Sequence, residues 1–171
     1  MLRVDLRELV RGGAVETQGE LKQDDPALEG VDIRLRDPVS VTGRLQSIGE
    51  GRFYWHGTAR TVVQGDCRRC LTPVTTPLQL DIGALFTQDP EARDDPDSYP
   101  LAPEATEIDV TPAVREELLL AAPRYVECRD DCKGICPQCG TDLNAGSCDC
   151  APVTDARWQP LKALKDKLRS N

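Results

Sequence analysis

The sequence predicts an α+β fold: an antiparallel β-sheet with one packed helix and a C-terminal Cys-rich, zinc-ribbon-like module. Three observations lead there. Apolar residues alternate with period two through residues 31–87. One helical stripe follows near 112–122. Six of the eight cysteines then crowd into CRDDCKGICPQCGTDLNAGSCDC, residues 128–150. The expected organisation is an N-terminal segment over 1–30, a sheet and helix over 31–123 with an acidic loop at 88–106, and a metal module with a short C-terminal helix over 124–171.

Residues 1–30 carry a weak pattern. Leu2, Val4 and Leu6 start as a strand, Leu9 and Val10 suggest a helical turn, and Gly12-Gly13 breaks it. QDDPALEG reads as a loop. In VSVTGRLQS, Val39, Val41 and Leu45 share one face, with Ser40, Thr42, Arg44 and Gln46 on the other. After the turn IGEG, Phe53, Trp55, Ala59 and Val63 line one side of the next run, which predicts a hairpin. A third strand puts Leu78, Leu80, Ile82, Ala84 and Phe86 together. Residues 88–106, with four prolines, read as a solvated loop. A helix is then expected with Thr111 as N-cap and Pro112 at its first position. Val114, Leu118 and Ala121 form its stripe, and Pro123 stops it. Leu161, Leu164 and Leu168 after Pro160 predict a last, basic-flanked helix.

The formal charge is −8, unevenly spread. Between Asp89 and Asp109 the acids are opposed by Arg93 alone, whereas the tail from Arg157 to Arg169 is basic. An acidic protein is repelled by phosphate backbones and attracted to basic proteins. No apolar run is long enough for a transmembrane helix, and MLRVDLRELVRGG has no apolar core of a secretory signal. A cytoplasmic chain is expected, without a membrane partner. Cytoplasmic thiols are kept reduced, which disfavours a disulfide framework.

Reduced cysteines at short spacings are what a tetrahedral ion requires, two ligands from one tight turn and two from another. The pairs here are Cys67-x2-Cys70, Cys128-x3-Cys132, Cys136-x2-Cys139 and Cys148-x-Cys150. All eight are candidate metal ligands, and two zinc ions are expected. CPQCG has the form of a zinc knuckle and with Cys148 and Cys150 makes a self-contained set. Cys67, Cys70, Cys128 and Cys132 would then form the second. Loop-closure entropy favours this pairing. The alternative joins Cys67 and Cys70 with Cys136 and Cys139, leaving Cys128, Cys132, Cys148 and Cys150. A third arrangement has one zinc and free thiols at Cys67 and Cys70. No internal repeat is evident, because the residues around the two CxxC pairs differ.

Catalysis has little support in the residues. Four thiolates around zinc leave no open position for substrate. The single histidine, His56, falls inside a strand. No phosphate loop, dinucleotide fingerprint or serine elbow occurs. A non-enzymatic protein is expected. The rival is a thiol redox enzyme or sensor at Cys67 and Cys70, which calls for a CxxC at a helix start in a βαβ setting. Arg68 and Arg69, inside that pair, either offset thiolate charge or touch a phosphate.

CRRCLTPV, EIDVTPAVREELLLAAP and CKGICPQCGTDLN, followed by CDC and by Asp155-Ala156-Arg157-Trp158, together resemble the YceD family over roughly residues 30–165. The resemblance implies a role in synthesis, processing or stability of 23S ribosomal RNA, and so in ribosome biogenesis. It supplies no reaction. The cysteine content resembles a zinc-bearing subgroup; other members lack the second cysteine block, which implies that the module supports the fold. The partners implied are a ribosomal protein or an rRNA-processing factor, or precursor rRNA at Arg68, Arg69 and the Lys-rich tail.

Overall fold

The computed structural model describes residues 2–89, 98–151 and Arg157. The chain divides into two units, 1–128 and 129–171.

The first unit opens with strand β1 (Arg3–Asp5) and helix α1 (Leu6–Gly12). Asp5 caps α1 by accepting the Arg7 N–H at 2.7 Å, and Gly13 ends it at φ 71°. Next comes β2 (Ala14–Leu21), then a 3-10 turn (Pro26–Leu28). Then follow β3 (Arg34–Leu35), β4 (Val39–Gly49), β5 (Arg52–Asp66), β6 (Pro73–Thr87), β7 (Ser98–Pro100) and β8 (Glu107–Asp109), and finally α2 (Thr111–Ala121).

The sheet has six strands in the order β2-β4-β5-β6-β7, with β3 also paired to β5. Its spine is the β5–β6 hairpin, two 15-residue strands in register from Arg52↔Thr87 to Asp66↔Pro73. The expected β4–β5 hairpin is present, with Val41 opposite Ala59 and Leu45 opposite Trp55. The predicted faces hold: Val39, Val41, Leu45, Phe53, Trp55, Ala59, Ile82, Ala84 and Phe86 are buried in one core. α2 adds Ala113, Val114 and Leu118 to that core, and the small β1–β8 sheet adds Val4 and Ile108.

Five expectations are corrected. The sheet starts at Ala14, not at 31, because β2 pairs with β4 along its whole length. The helical turn expected at Leu9 and Val10 is a full helix, α1, over Leu6–Gly12. The loop expected over 88–106 contains β7, which pairs parallel to β6, so the sheet is mostly but not wholly antiparallel. Tyr99 stacks on Phe86 there, with ring centroids 5.2 Å apart, and supplies the burial that holds the short strand. At α2 the N-cap position is Val110, which makes no side-chain cap hydrogen bond; the Asp109 carboxylate before it accepts the Thr111 N–H at 2.9 Å, and Thr111 itself is inside the helix. Ala121 is exposed and Ala113 takes its expected place in the core. The helix expected over 160–168 lies outside the described residues.

Two glycines matter to the core. Gly43 and Gly57 face one another across β4 and β5, and the Trp55 indole lies over both. A Cβ at Gly43 would fall 2.7 Å from Trp55 Cε2, and one at Gly57 would also strike the ring. The indole Nε1 donates to Thr17 Oγ1 of β2 at 2.8 Å, so the buried N–H is satisfied.

Candidate metal centres

The β5–β6 hairpin closes through six residues, Cys67–Thr72. Cys67 N–H donates to Thr72 O at 2.8 Å, and Leu71 N–H donates to Cys67 O at 2.8 Å. This is a closed turn with both sulfurs on it. Cys67 is buried; Cys70 is half-buried. The turn is fastened to the segment after α2: Cys67 bridges to Val126, and Arg68 N–H donates to Val126 O at 2.9 Å. Glu127 takes both arginines, accepting from Arg68 Nε at 2.6 Å and meeting Arg69 Nη2 at 3.2 Å. Beyond the two roles open to Arg68 and Arg69, the structure thus adds a third: both clamp the segment that delivers Cys128.

Cys67, Cys70 and Cys128 lie with their sulfurs within 4.8 Å of one another. Cys70 Sγ and Cys128 Sγ are 3.6 Å apart. A disulfide would be about 2.05 Å. Two ligands on a tetrahedral zinc with bonds of about 2.3 Å stand roughly 3.8 Å apart. The donor set fits a metal.

The second unit repeats the turn. Cys136 N–H donates to Thr141 O at 2.8 Å, and Gly140 N–H donates to Cys136 O at 2.9 Å. Ile135 pairs antiparallel with Asp142, as Asp66 pairs with Pro73 around the first turn. The position after the second cysteine is left-handed in both, Leu71 at φ 61° and Gly140 at φ 73°. An internal repeat therefore exists, against expectation, in the form Cys-x2-Cys-x-Thr. The shared threonine was the one sequence signal for it.

Cys136, Cys139, Cys148 and Cys150 bring four sulfurs within 4.8 Å of one another. That is the self-contained grouping of donors that the spacing suggests. Cys132 also belongs to this unit; its sulfur receives Asn144 Nδ2 at 3.6 Å. Asn144 Oδ1 accepts Lys133 N–H at 2.8 Å and Arg129 Nη2 at 2.9 Å.

The electrostatics of both turns favour bound cations. The Thr141 hydroxyl, Thr141 N–H and neighbouring thiols lower Cys139 to about 6. The N–H groups of Cys139 and Gln138 lower Cys136. The Cys139 thiolate and burial then push Cys150 up to about 12. Cys148 rises as well: the Cys150 N–H pulls it down, but Cys136, burial and Cys139 outweigh that. Four crowded thiols cannot all ionise by themselves; a dication lets them. In the first unit burial raises Cys67, yet the N–H groups of Cys70, Arg69 and Cys128 overcome it and lower the thiol to about 6. The Thr72 hydroxyl lowers Cys70.

The remaining candidates fall elsewhere. Cys67-x2-Cys70 stands between two antiparallel strands, not at a helix start in a βαβ unit. His56 is exposed on β5. Among the described residues no helix is long and apolar enough to cross a membrane.

A family model described as large ribosomal RNA subunit accumulation protein YceD matches residues 55–165. An uncharacterized protein of Mycobacterium tuberculosis (strain ATCC 25618 / H37Rv) is 31% identical over 142 residues, covering 80% of this chain and 68% of its own. The chloroplastic large ribosomal RNA subunit accumulation protein YCED homolog 1 of Arabidopsis thaliana is 30% identical over 142 residues, 66% of this chain and 44% of its own. Its Zea mays counterpart is 25% identical over 186 residues, 90% of this chain and 58% of its own. No solved structure matches. With the family model spanning both cysteine turns, this chain belongs to the YceD family.

Proposed function

We propose that this protein is a non-enzymatic factor that supports accumulation of 23S ribosomal RNA during large-subunit assembly, in the cytoplasm, and that it carries two structural zinc ions. The observation that carries the functional reading is the family match over residues 55–165, together with the name shared by the plant relatives. The acidic balance of the chain, −8, favours a basic ribosomal protein or an rRNA-processing factor as the direct partner. Depletion of the protein in its host is expected to lower 23S rRNA relative to 16S rRNA. Equal levels of both would overturn the reading. Affinity purification with and without RNase separates a protein partner, retained after RNase, from precursor rRNA, lost with it.

In the metal reading, Cys136, Cys139, Cys148 and Cys150 hold one ion. Cys67, Cys70 and Cys128 hold the other, with Cys132, three residues beyond Arg129, as the fourth ligand. Bound zinc supplies cross-linking and charge neutralisation, and closed sets of four thiolates offer no position for substrate. Structural zinc in small finger peptides contributes roughly 10–16 kcal/mol of apparent binding free energy, coupled to folding. Metal analysis with thiol counting tests this. Two zinc ions and no rapidly alkylated thiol are expected. One zinc, with fast-reacting Cys67 and Cys70, would replace the structural reading with the redox one.

A further inference from the structure

The two cysteine turns agree beyond their backbones. In each, the first sulfur is buried, at Cys67 and Cys136, and the second is more open, half-buried at Cys70 and exposed at Cys139. In each, the second sulfur meets the hydroxyl of the threonine two residues on. The protonated Cys70 Sγ donates to Thr72 Oγ1 at 3.3 Å, and Cys139 Sγ and Thr141 Oγ1 are 3.1 Å apart with either able to donate; once each sulfur is a thiolate, only the hydroxyl has a proton to give. Around the two threonines nearly everything else differs: Arg-Arg against Pro-Gln inside the pair, Leu71 against Gly140 after it, a 15-residue strand against a single bridge beside it. Both threonines are exposed, so neither is kept for packing in a core.

We propose that Thr72 and Thr141 are metal-positioning residues, each donating its hydroxyl to the outer thiolate of its turn and holding that sulfur on the ion. The inference rests on the zinc reading above. The chemistry is specific to the outer position. A buried sulfur is shielded from water by the protein, whereas an outer thiolate is open to water and to protons that compete with the metal. A fixed hydroxyl occupies one lone pair, withdraws charge and leaves the others aimed at the ion. The hydroxyl is fixed because the threonine carbonyl is tied to the first cysteine's N–H at 2.8 Å in both turns, and the β-branch limits its rotation.

The test uses the full-length chain as Thr72→Val, Thr141→Val, Thr72→Ser and Thr141→Ser. Zinc retention is followed by competition with a chromophoric chelator, and the coordination sphere by the thiolate-to-metal bands of the Co²⁺-loaded protein. Each valine variant is expected to weaken one of two ions by roughly 10- to 100-fold and to shift its Co²⁺ bands. Each serine variant is expected to keep the ion near wild-type affinity, with unchanged far-UV dichroism throughout. Valine variants that hold zinc like wild type overturn this inference alone, as do serine variants as weak as valine. A wild-type chain that takes up no zinc overturns the metal reading as well, which separates the two failures.

Discussion

Asn144 holds the sulfur of Cys132 from twelve residues away, its Nδ2 at 3.6 Å and its Oδ1 on the N–H of Lys133 at 2.8 Å. The same Nδ2 also donates to Asp142 Oδ1 at 2.8 Å, so the carboxamide is used on both sides. Asn144→Ala removes the donor to the thiolate and leaves Lys133 N–H without its acceptor. The expected result is a loss of roughly 10- to 100-fold in affinity for the ion that Cys132 is proposed to bind, with the Cys136 set unaffected. Asn144→Asp keeps the acceptor but turns the donor into a negative charge beside a thiolate, and is expected to be at least as damaging. Chelator competition on both variants checks this; unchanged release of both ions would refute it.

Gly43 and Gly57 are required by the Trp55 ring. Gly43→Ala places a methyl group 2.7 Å from Cε2 and 2.8 Å from the Gly57 Cα. Neither neighbour can yield, since one is a buried ring and the other backbone. A loss of about 1–3 kcal/mol in unfolding free energy is expected, read from urea denaturation of the sheet.

Thr17→Val is isosteric and leaves the Trp55 N–H buried without a partner. The expected cost is about 1–3 kcal/mol. This bond also explains why β2 escapes a reading of the sequence. AVETQGEL has no apolar alternation: its buried positions are Thr17 and Leu21, and the threonine is inside because it serves the indole. β4, β5 and β6 were legible because one face of each meets the core and the other meets water, which writes period two into the chain. β7 was hidden by its length, three residues among prolines and acids, and exists because Tyr99 covers Phe86. The cysteine clusters were legible as spacing, and the grouping of Cys136 with Cys148 is the one that closure favours. The repeat of the turn was not, since a backbone hydrogen-bond pattern tolerates Arg-Arg or Pro-Gln alike and only cysteines and threonine are held in common.

Leu71 occupies the left-handed position that Gly140 fills in the other turn, and its side chain is 62% exposed. A non-glycine residue there costs roughly 1–2 kcal/mol, partly offset by glycine's greater flexibility in the unfolded chain. Leu71→Gly is expected to raise the stability of the first unit by roughly 1 kcal/mol, measured as a higher urea midpoint with unchanged slope. A lower midpoint would show that the leucine stabilises the turn.

Tyr99 donates its hydroxyl to Glu116 Oε2 at 2.5 Å. Burial first, and then the Glu116 and Glu117 carboxylates, hold the phenol well above its ordinary value. A raised value means that the folded state keeps a proton the unfolded state releases. The contribution is complete below the ordinary tyrosine value of about 10 and declines as pH rises above it. Stability of the first unit is therefore expected to fall above about pH 10, and less steeply in Tyr99→Phe. Identical alkaline profiles would exclude Tyr99 as the source.

The indole that bridges β2 to the sheet is also an optical probe. The chain has two tryptophans, and Trp158→Phe would leave Trp55 as the only emitter. Trp55 is 0% exposed, so its fluorescence starts blue and has only one way to move. A red shift would time the moment when water reaches the ring. Recorded beside metal release, it would tell whether the sheet loosens with the ions or outlasts them.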